Sequence, residues 1–256
     1  MTNKNSHYPS QEDIYSKLLG VIRAYSVDSD RLPPEELLAT ELGISRVKLR
    51  DVLAALETNG YINRKKGIGT IINRYLLEEP ARLDVDTIYE EVITGAGFKH
   101  NTLIRKLQFH ANTPENIAQK LMVQPEDPIH LVEKVVYADD QPAIFLQDYI
   151  PPKYYNQDNI DMRLLASSTF CFIQEHCNEV LENMVVHLDA CEVDESLSEE
   201  MGLQVGSPIL RLDSVCYSLR NTPIAYSIEY HNTKLLPYCI HKRLRRTRYY
   251  SPQYDK

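Results

Sequence analysis

The sequence predicts an α+β protein in two parts, an N-terminal winged helix-turn-helix followed by an antiparallel-sheet domain. Three observations carry this expectation. Up to residue 58 apolar residues recur at helical spacing in three short runs. Beyond Phe98 the chain changes to alternating, strand-like stretches joined by short turns. The second part also repeats itself at an offset of 80 residues.

In the first part, Ile14, Leu18, Leu19 and Ile22 share one stripe and predict a helix over 11–25. Leu32-Pro33-Pro34 gives an extended entry, with Pro34 near the first turn of a second helix that carries Leu37, Leu38 and Leu42 and stops at Gly43. Two residues later Ser45 is placed to cap a third helix that runs to Thr58. Helices joined by so tight a turn form a helix-turn-helix. On the third helix Leu49, Val52, Leu53 and Leu56 fall on one stripe and must face the core. The opposite side carries Val47, Arg50, Asp51 and Ala54, with Arg46 and Lys48 flanking it in the first turn. Arg46 and Arg50 have the forked donors that read guanine edges or grip phosphates, and Val47 can meet a thymine methyl. Two short alternating stretches then flank Lys65-Lys66-Gly67-Ile68-Gly69. They predict a hairpin whose basic tip, Arg64, Lys65 and Lys66, suits phosphates or a minor groove.

Charge supports a localised anion-binding role. The net charge is −8, yet residues 1–77 balance at +2 and the remainder at −10. Between 44 and 74 seven basic residues face only two acids, Asp51 and Glu57. A basic block in an acidic chain is a local electrostatic footprint. Hydrophobic residues at 43% and charged residues at 25% exclude a disordered or collagen-like chain. No apolar run approaches the ~20 residues that span a bilayer, and the polar start is unlike a secretory leader. The expected setting is cytoplasmic, with no membrane partner. Five cysteines without a CxxC pair read as reduced, packed thiols.

Residues 75–86 have few periodic apolar positions and read as a linker between a domain at 1–74 and one at 87–250. A short helix over 85–94 is expected next. Strands follow over 99–110, 129–138, 143–150, 183–192, 209–218, 224–231 and 238–246, with helices over 114–121, 168–178 and 195–201. In the repeat, Leu121-Met122-Val123-Gln124 and Pro128-Ile129 are answered by Met201-Gly202-Leu203-Gln204 and Pro208-Ile209. One residue of slippage later, Pro142 and Tyr149 are answered by Pro223 and Tyr230. Two copies at so long a period predict a duplicated half-domain with a pseudo-twofold axis.

The residues also carry a resemblance. Leu32-Pro33-Pro34-Glu35-Glu36-Leu37-Leu38-Ala39, Leu42-Gly43-Ile44-Ser45-Arg46, Arg50-Asp51-Val52-Leu53 and Gly67-Ile68-Gly69-Thr70 resemble the winged-helix domain of GntR-family repressors. This implies a bacterial transcriptional regulator that binds a palindromic double-stranded operator as a homodimer. Carried over by position, Ser45, Arg46, Val47, Lys48, Arg50 and Gly67 would contact DNA. Where that family usually has an arginine, this chain has Glu36. The second half, through Tyr137-Ala138-Asp139-Asp140-Gln141-Pro142 and Tyr149-Ile150-Pro151, resembles the UTRA effector-binding domain of the HutC branch. The implied fold is chorismate-lyase-like, used to bind a small-molecule effector. By position, Thr102, Lys134 and Ser168 would offer polar contacts, and Tyr149, Phe170, Glu229 and Tyr230 would line the cleft. Phosphosugar binders show Arg-x-Arg where this chain has Lys134-Val135-Val136, and the acid usual after the hairpin is replaced by Leu146. Without the forked arginine clamp, a less anionic, partly apolar effector is expected.

Other chemistry finds little support. Scattered histidines such as His110, His187 and His231 lack metal-ligand spacing, and there is no nucleophile elbow or phosphate-cradling loop. No cofactor, metal site or catalytic residue is expected. The rival from another class is a lyase-like enzyme, or a bifunctional protein, that uses the second domain catalytically. The basic run Lys242-Arg243-Leu244-Arg245-Arg246-Thr247-Arg248 reads as a solvated strand end, with closure of the last strand, an acidic neighbour and DNA as the alternatives.

Overall fold

The computed structural model describes residues 11–155, 160–161, 164–165 and 168–243. The chain divides into two units, one of Met1–Asp86 with Cys239–Lys256, the other of Thr87–Tyr238.

The N-terminal unit opens with α1 (Gln11–Asp28), α2 (Glu35–Leu42) and α3 (Arg46–Thr58). Ile14, Leu18 and Ile22 of α1 and Leu49, Val52, Leu53 and Leu56 of α3 form its core, each almost fully buried. In α2 the buried positions are Leu38 and Ala39, whereas Leu37 is exposed, because a two-turn helix shows the core only a narrow stripe. Gly43 ends α2 at φ 66°, a left-handed cap that reverses the chain within two residues. The Ser45 side chain accepts from the Lys48 N–H at 3.2 Å and starts α3. Strands β1 (Ile62–Lys65) and β2 (Gly69–Ile72) pair antiparallel around the turn at Gly67, φ 82°. Residues 30–32 extend this wing, with Ile72 N–H donating to the Asp30 carbonyl and Leu32 N–H to that of Thr70.

The stretch expected to be a linker is structured. It holds α4 (Arg74–Leu77) and β3 (Ala81–Arg82). Leu83 N–H donates to the Cys239 carbonyl at 3.0 Å, so the segment from Cys239 onward groups with this unit and not with the sheet domain, which had been expected to run to 250. Of the strand expected over 238–246, only β10 (Tyr238–Cys239) is formed among the described residues, and 244–246 lie outside them.

The second unit contains α5 (Tyr89–Gly95), β4 (His100–Asn112), α6 (Glu115–Leu121), β5 (Pro128–Ala138), β6 (Gln141–Ile150) and a 3-10 turn at Pro152–Tyr154. It continues through α7 (Thr169–His176), β7 (Leu181–Glu192), α8 (Glu195–Met201), β8 (Pro208–Ser218) and β9 (Pro223–His231). The six strands form one antiparallel sheet in the order β4-β5-β6-β9-β8-β7. That order reads alike from both ends once each strand is matched to its repeat. The 80-residue offset carries α6 onto α8 and β5 onto β8, and it also carries the left-handed helix caps, Met122 onto Gly202. Bulges follow at Val136/Tyr137 and Cys216/Tyr217. Gln147 pairs with Ile228 where β6 meets β9, which places the local dyad between these two residues.

The sheet is covered on both faces. Helices α6 and α8 pack on one, against Phe145, Tyr149, Tyr226 and Tyr230. On the other, Phe172 and Ile173 of α7 bury Val132, Ile150, Cys216 and Ala225. All five cysteines are free. Leu49 has no exposed surface, so Leu49→Ala should cost about 2–5 kcal/mol. Denaturant unfolding that moved by less than ~1 kcal/mol would show that the three helices do not share a core.

Candidate functional site

Burial of one stripe of α3 leaves its first turns outside. Ser45, Arg46, Val47 and Arg50 are exposed and Lys48 is half-buried. Val47 is 70% exposed, so its methyl groups are open to a contact. The Arg50 guanidinium Nε donates to Glu35 Oε2 at 2.7 Å, so the α2 carboxylate aims this arginine along the helix surface. Lys65, Lys66 and Gly67 lie exposed at the wing tip. Arg64 is held differently. Its backbone N–H and its guanidinium Nε donate to the two oxygens of Glu57, at 2.8 and 2.7 Å. Arg64 therefore ties the wing to the end of α3, and only part of its charge faces outward. A cation missed in the sequence is Arg31, whose Nη1 donates to the Ile68 carbonyl at the wing tip. Its position in the chain gave no sign of this, because it reaches the wing through the isolated bridge that Arg31 forms with Ile71.

The other group of candidates lies in the second unit, on the sheet. Directly paired residues of neighbouring antiparallel strands share a face. The register places Thr102, Val136, Ile144 and His231 in one row, Lys134, Leu146 and Glu229 in the next, and Asp148 and Ser227 in a third. Thr102, Lys134 and Glu229 thus share a face. Tyr149 and Tyr230 do not. They point to the opposite face, where Tyr149 packs with Tyr226 and Tyr230 stacks on Phe145 beneath the Arg211 guanidinium. Expecting these tyrosines to line the same cleft fails because each lies an odd number of residues from the lining positions of its strand. Ser168 caps α7 by accepting from the Cys171 N–H, and Phe170 packs half-buried against the cluster beneath α7.

The Lys134 face holds a buried polar network. Lys134 Nζ donates to Thr169 Oγ1 at 2.5 Å and to the Leu165 carbonyl at 3.1 Å, and it lies 3.3 Å from Asp148 Oδ2. Thr169 donates to the same carboxylate, and Ser227 donates to its other oxygen at 2.5 Å. The acid expected at position 146 is thus present two residues further on, with the same facing. A second group lies on the same face, with the Tyr89 hydroxyl donating to Glu229 at 2.5 Å. Glu229 also meets His231 Nε2 at 2.9 Å, while His231 Nδ1 meets the Tyr238 hydroxyl at 2.6 Å. Burial, with the Glu229 carboxylate beside it, pushes the Tyr89 phenol well above its ordinary value, so it stays a proton donor. Alternation marks such residues as inward-facing, but their partners on α5 and α7 are set by tertiary packing and left no signal in the sequence. Among the described residues no cluster of His, Cys, Asp and Glu fit to hold a metal occurs, and no helix is long and apolar enough to cross a membrane.

Two expectations follow. Removing one member of the Lys134–Asp148 pair leaves a buried, uncompensated charge, so Lys134→Met should cost about 3–5 kcal/mol, and adding Asp148→Leu should restore most of it. Urea unfolding that gave equal losses for the single and double variants would refute the coupling. In the first unit, burial opposes the charge on Glu57 but the Arg64 donors prevail, and for Asp84 the Arg82 guanidinium and His241 N–H prevail in the same way. Both carboxyls titrate below their ordinary values. Their stabilisation is complete above about pH 4, the unfolded range, and is lost as pH falls through the lower folded values. Melting of the wing region should move down on acidification below ~4, and Glu57→Gln should blunt that shift.

Comparison with known proteins assigns both units. A family model described as UTRA domain matches residues 96–236, more than half of the chain. One described as bacterial regulatory proteins, gntR family, matches residues 11–72. The chain is 26% identical over 218 residues to an uncharacterized HTH-type transcriptional regulator, YurK, of Bacillus subtilis, covering 82% of this chain and 85% of that protein. It is 24% identical over 226 residues to the HTH-type transcriptional repressor NagR of the same organism, covering 88% and 91%. The crystal structure of a possible transcriptional regulator, YydK, also from Bacillus subtilis, superposes with a TM-score of 0.73 at 18% identity, covering 92% of this chain and all of that one. With an exposed cationic helix and wing in one unit and the UTRA sheet in the other, this chain belongs to the GntR family of bacterial regulatory proteins, as a ligand-responsive DNA-binding transcriptional regulator with a UTRA effector domain.

Proposed function

We propose that the chain acts as a homodimeric repressor that α3 and the wing seat on a palindromic operator and that a small metabolite releases. The observation that carries this is the division of α3, with its leucine stripe wholly buried and Arg46, Val47 and Arg50 outside. Ser45, Arg46, Val47, Lys48 and Arg50 are assigned to the major groove, and Lys65, Lys66 and Gly67 to the backbone at the wing, with Arg64 and Arg31 supporting it. Each good forked contact to a base is worth ~1–3 kcal/mol of discrimination. The expected setting is cytoplasmic.

Thr102, Lys134, Ser168, Phe170 and Glu229 are assigned to the effector side of the sheet, and Tyr149 and Tyr230 to packing. Lys134 is already neutralised by Asp148, and Glu229 adds a second acid to the same face. This favours an effector rich in hydrogen-bond donors over a phosphate-bearing one. The unit senses and does not catalyse, so its ligand should be recovered unchanged. Release of DNA requires the effector to prefer the non-binding state by ~1–3 kcal/mol of coupling.

Arg46→Ala should weaken binding to the selected duplex by 10-fold or more with the melting temperature unchanged, and the intact chain should lose affinity steeply as salt rises. Unaltered gel-shift affinity would remove α3 from the interface. In a thermal-shift panel, neutral polyols, sugars and amino compounds should raise the melting temperature more than their phosphorylated counterparts. The opposite order would refute the proposed effector class, and turnover of any stabilising compound would favour the lyase-like reading.

A further inference from the structure

We propose that Ile68, at the tip of the wing, enters the minor groove of DNA and selects A·T over G·C pairs beside the half-site read by α3. This rests on the DNA-binding reading above and adds a base-reading residue to a wing otherwise assigned to the backbone.

A lone exposed aliphatic side chain is ordinary on a protein surface, so the 47% exposure of Ile68 decides nothing by itself. What singles it out is how it is held. Its N–H donates to the Lys65 carbonyl at 3.0 Å and closes the turn, and its own carbonyl accepts from Arg31 Nη1 at 3.3 Å. Arg31 is bridged to Ile71, Leu32 N–H donates to the Thr70 carbonyl and Ile72 N–H to that of Asp30. A third segment of chain thus braces the wing, and both main-chain groups of Ile68 are fixed while the residue stays open to solvent. Gly67 and Gly69 flank it at φ 82° and 105°, and a Cβ added at either would meet no atom within 4 Å. The tip is therefore bare backbone on both sides of one branched apolar side chain. Lys65 and Lys66 precede it, and no acid occurs from residue 58 to residue 77.

The minor groove suits this shape. It is ~6 Å wide in B-form DNA, room for a thin hairpin tip but not for one thickened by neighbouring side chains. Its negative potential is strongest where A·T tracts narrow it, and that draws cations such as Lys65 and Lys66. An A·T pair lines the floor with acceptors alone, adenine N3 and thymine O2, whereas G·C adds the guanine N2 amino group. Ile68 offers no acceptor to that group. The amino group would lose water without a replacement partner and would hold the side chain off the floor. Apolar side chains serve as minor-groove wedges in other architectures. A wing that rode on phosphates alone, with Ile68 left in water, would be blind to the identity of the pair beneath it.

The test uses the full chain, Ile68→Ala and Lys66→Gln, each titrated against a duplex that the intact protein selects from a randomised library. Every A·T pair flanking the half-site is changed in turn to G·C and to inosine·C, which keeps the major-groove edge of G·C but lacks the amino group. At the pair under the wing, G·C should weaken the intact chain ~5-fold or more and inosine·C should restore most of the loss. Ile68→Ala should bring the A·T to G·C ratio near one with the salt slope and melting temperature unchanged. Lys66→Gln should do the reverse, lowering the slope by about 1 and keeping the ratio. Equal affinity of the intact chain for G·C and inosine·C at every flanking pair would overturn the proposal, as would a ratio that survives Ile68→Ala. If Arg46→Ala leaves affinity untouched, the reading beneath falls as well, whereas a damaging Arg46→Ala beside an intact chain indifferent to inosine removes this inference alone.

Discussion

Everything the N-terminal unit can do depends on the complete burial of Leu49, Val52, Leu53 and Leu56. A helix of thirteen residues has only one stripe to give to a core, and once leucine and valine fill it the remaining positions have no choice of direction. Arg46, Val47 and Arg50 are therefore presented outward by packing alone. The same core fixes the turn at Gly43 and the cap at Ser45, and these set the angle at which that surface is offered. Glu35 and Glu57 act after this, steering Arg50 and Arg64 without deciding which way the helix faces.

In the sheet unit the governing constraint is strand parity. Every second residue of β5, β6 and β9 faces α7 and α5, and a polar side chain there must find partners inside the protein. Lys134 finds Asp148, Thr169 and a carbonyl, and Glu229 finds Tyr89 and His231. Such a network costs desolvation and is retained where polarity serves a purpose. A ligand entering it would have to exchange one set of hydrogen bonds for another, which is how a binding event can favour one arrangement of the surrounding helices over another.

Much of this was legible in the sequence. The helices, the wing, the 80-residue repeat and the antiparallel strands followed from periodicity, because each is a local pattern that burial enforces. The exposed role of Leu37 and the ordered path through 75–86 were not legible. Both depend on how much core a short element meets and on a return of the chain from Cys239, more than 150 residues away. The effector candidates divided for a similar reason. Tyr149 and Tyr230 are related by the repeat and look like a matched pair, yet the odd spacing that places them alike also turns both from Lys134. Asp148 shares the facing of Leu146 two residues away, which matching by chain position alone does not reveal.

The dyad at Gln147 and Ile228 relates Asp148 to Glu229, since the slipped repeat offset carries one onto the other. Two acids at equivalent places in the repeat therefore stand on the same surface in unlike company, one neutralised by an ammonium and the other answered by a phenol and an imidazole. A perfectly mirrored cradle would accept a guest equally well in either of two orientations. Unlike partners for its two symmetry-related acids give this face of the sheet a head and a tail.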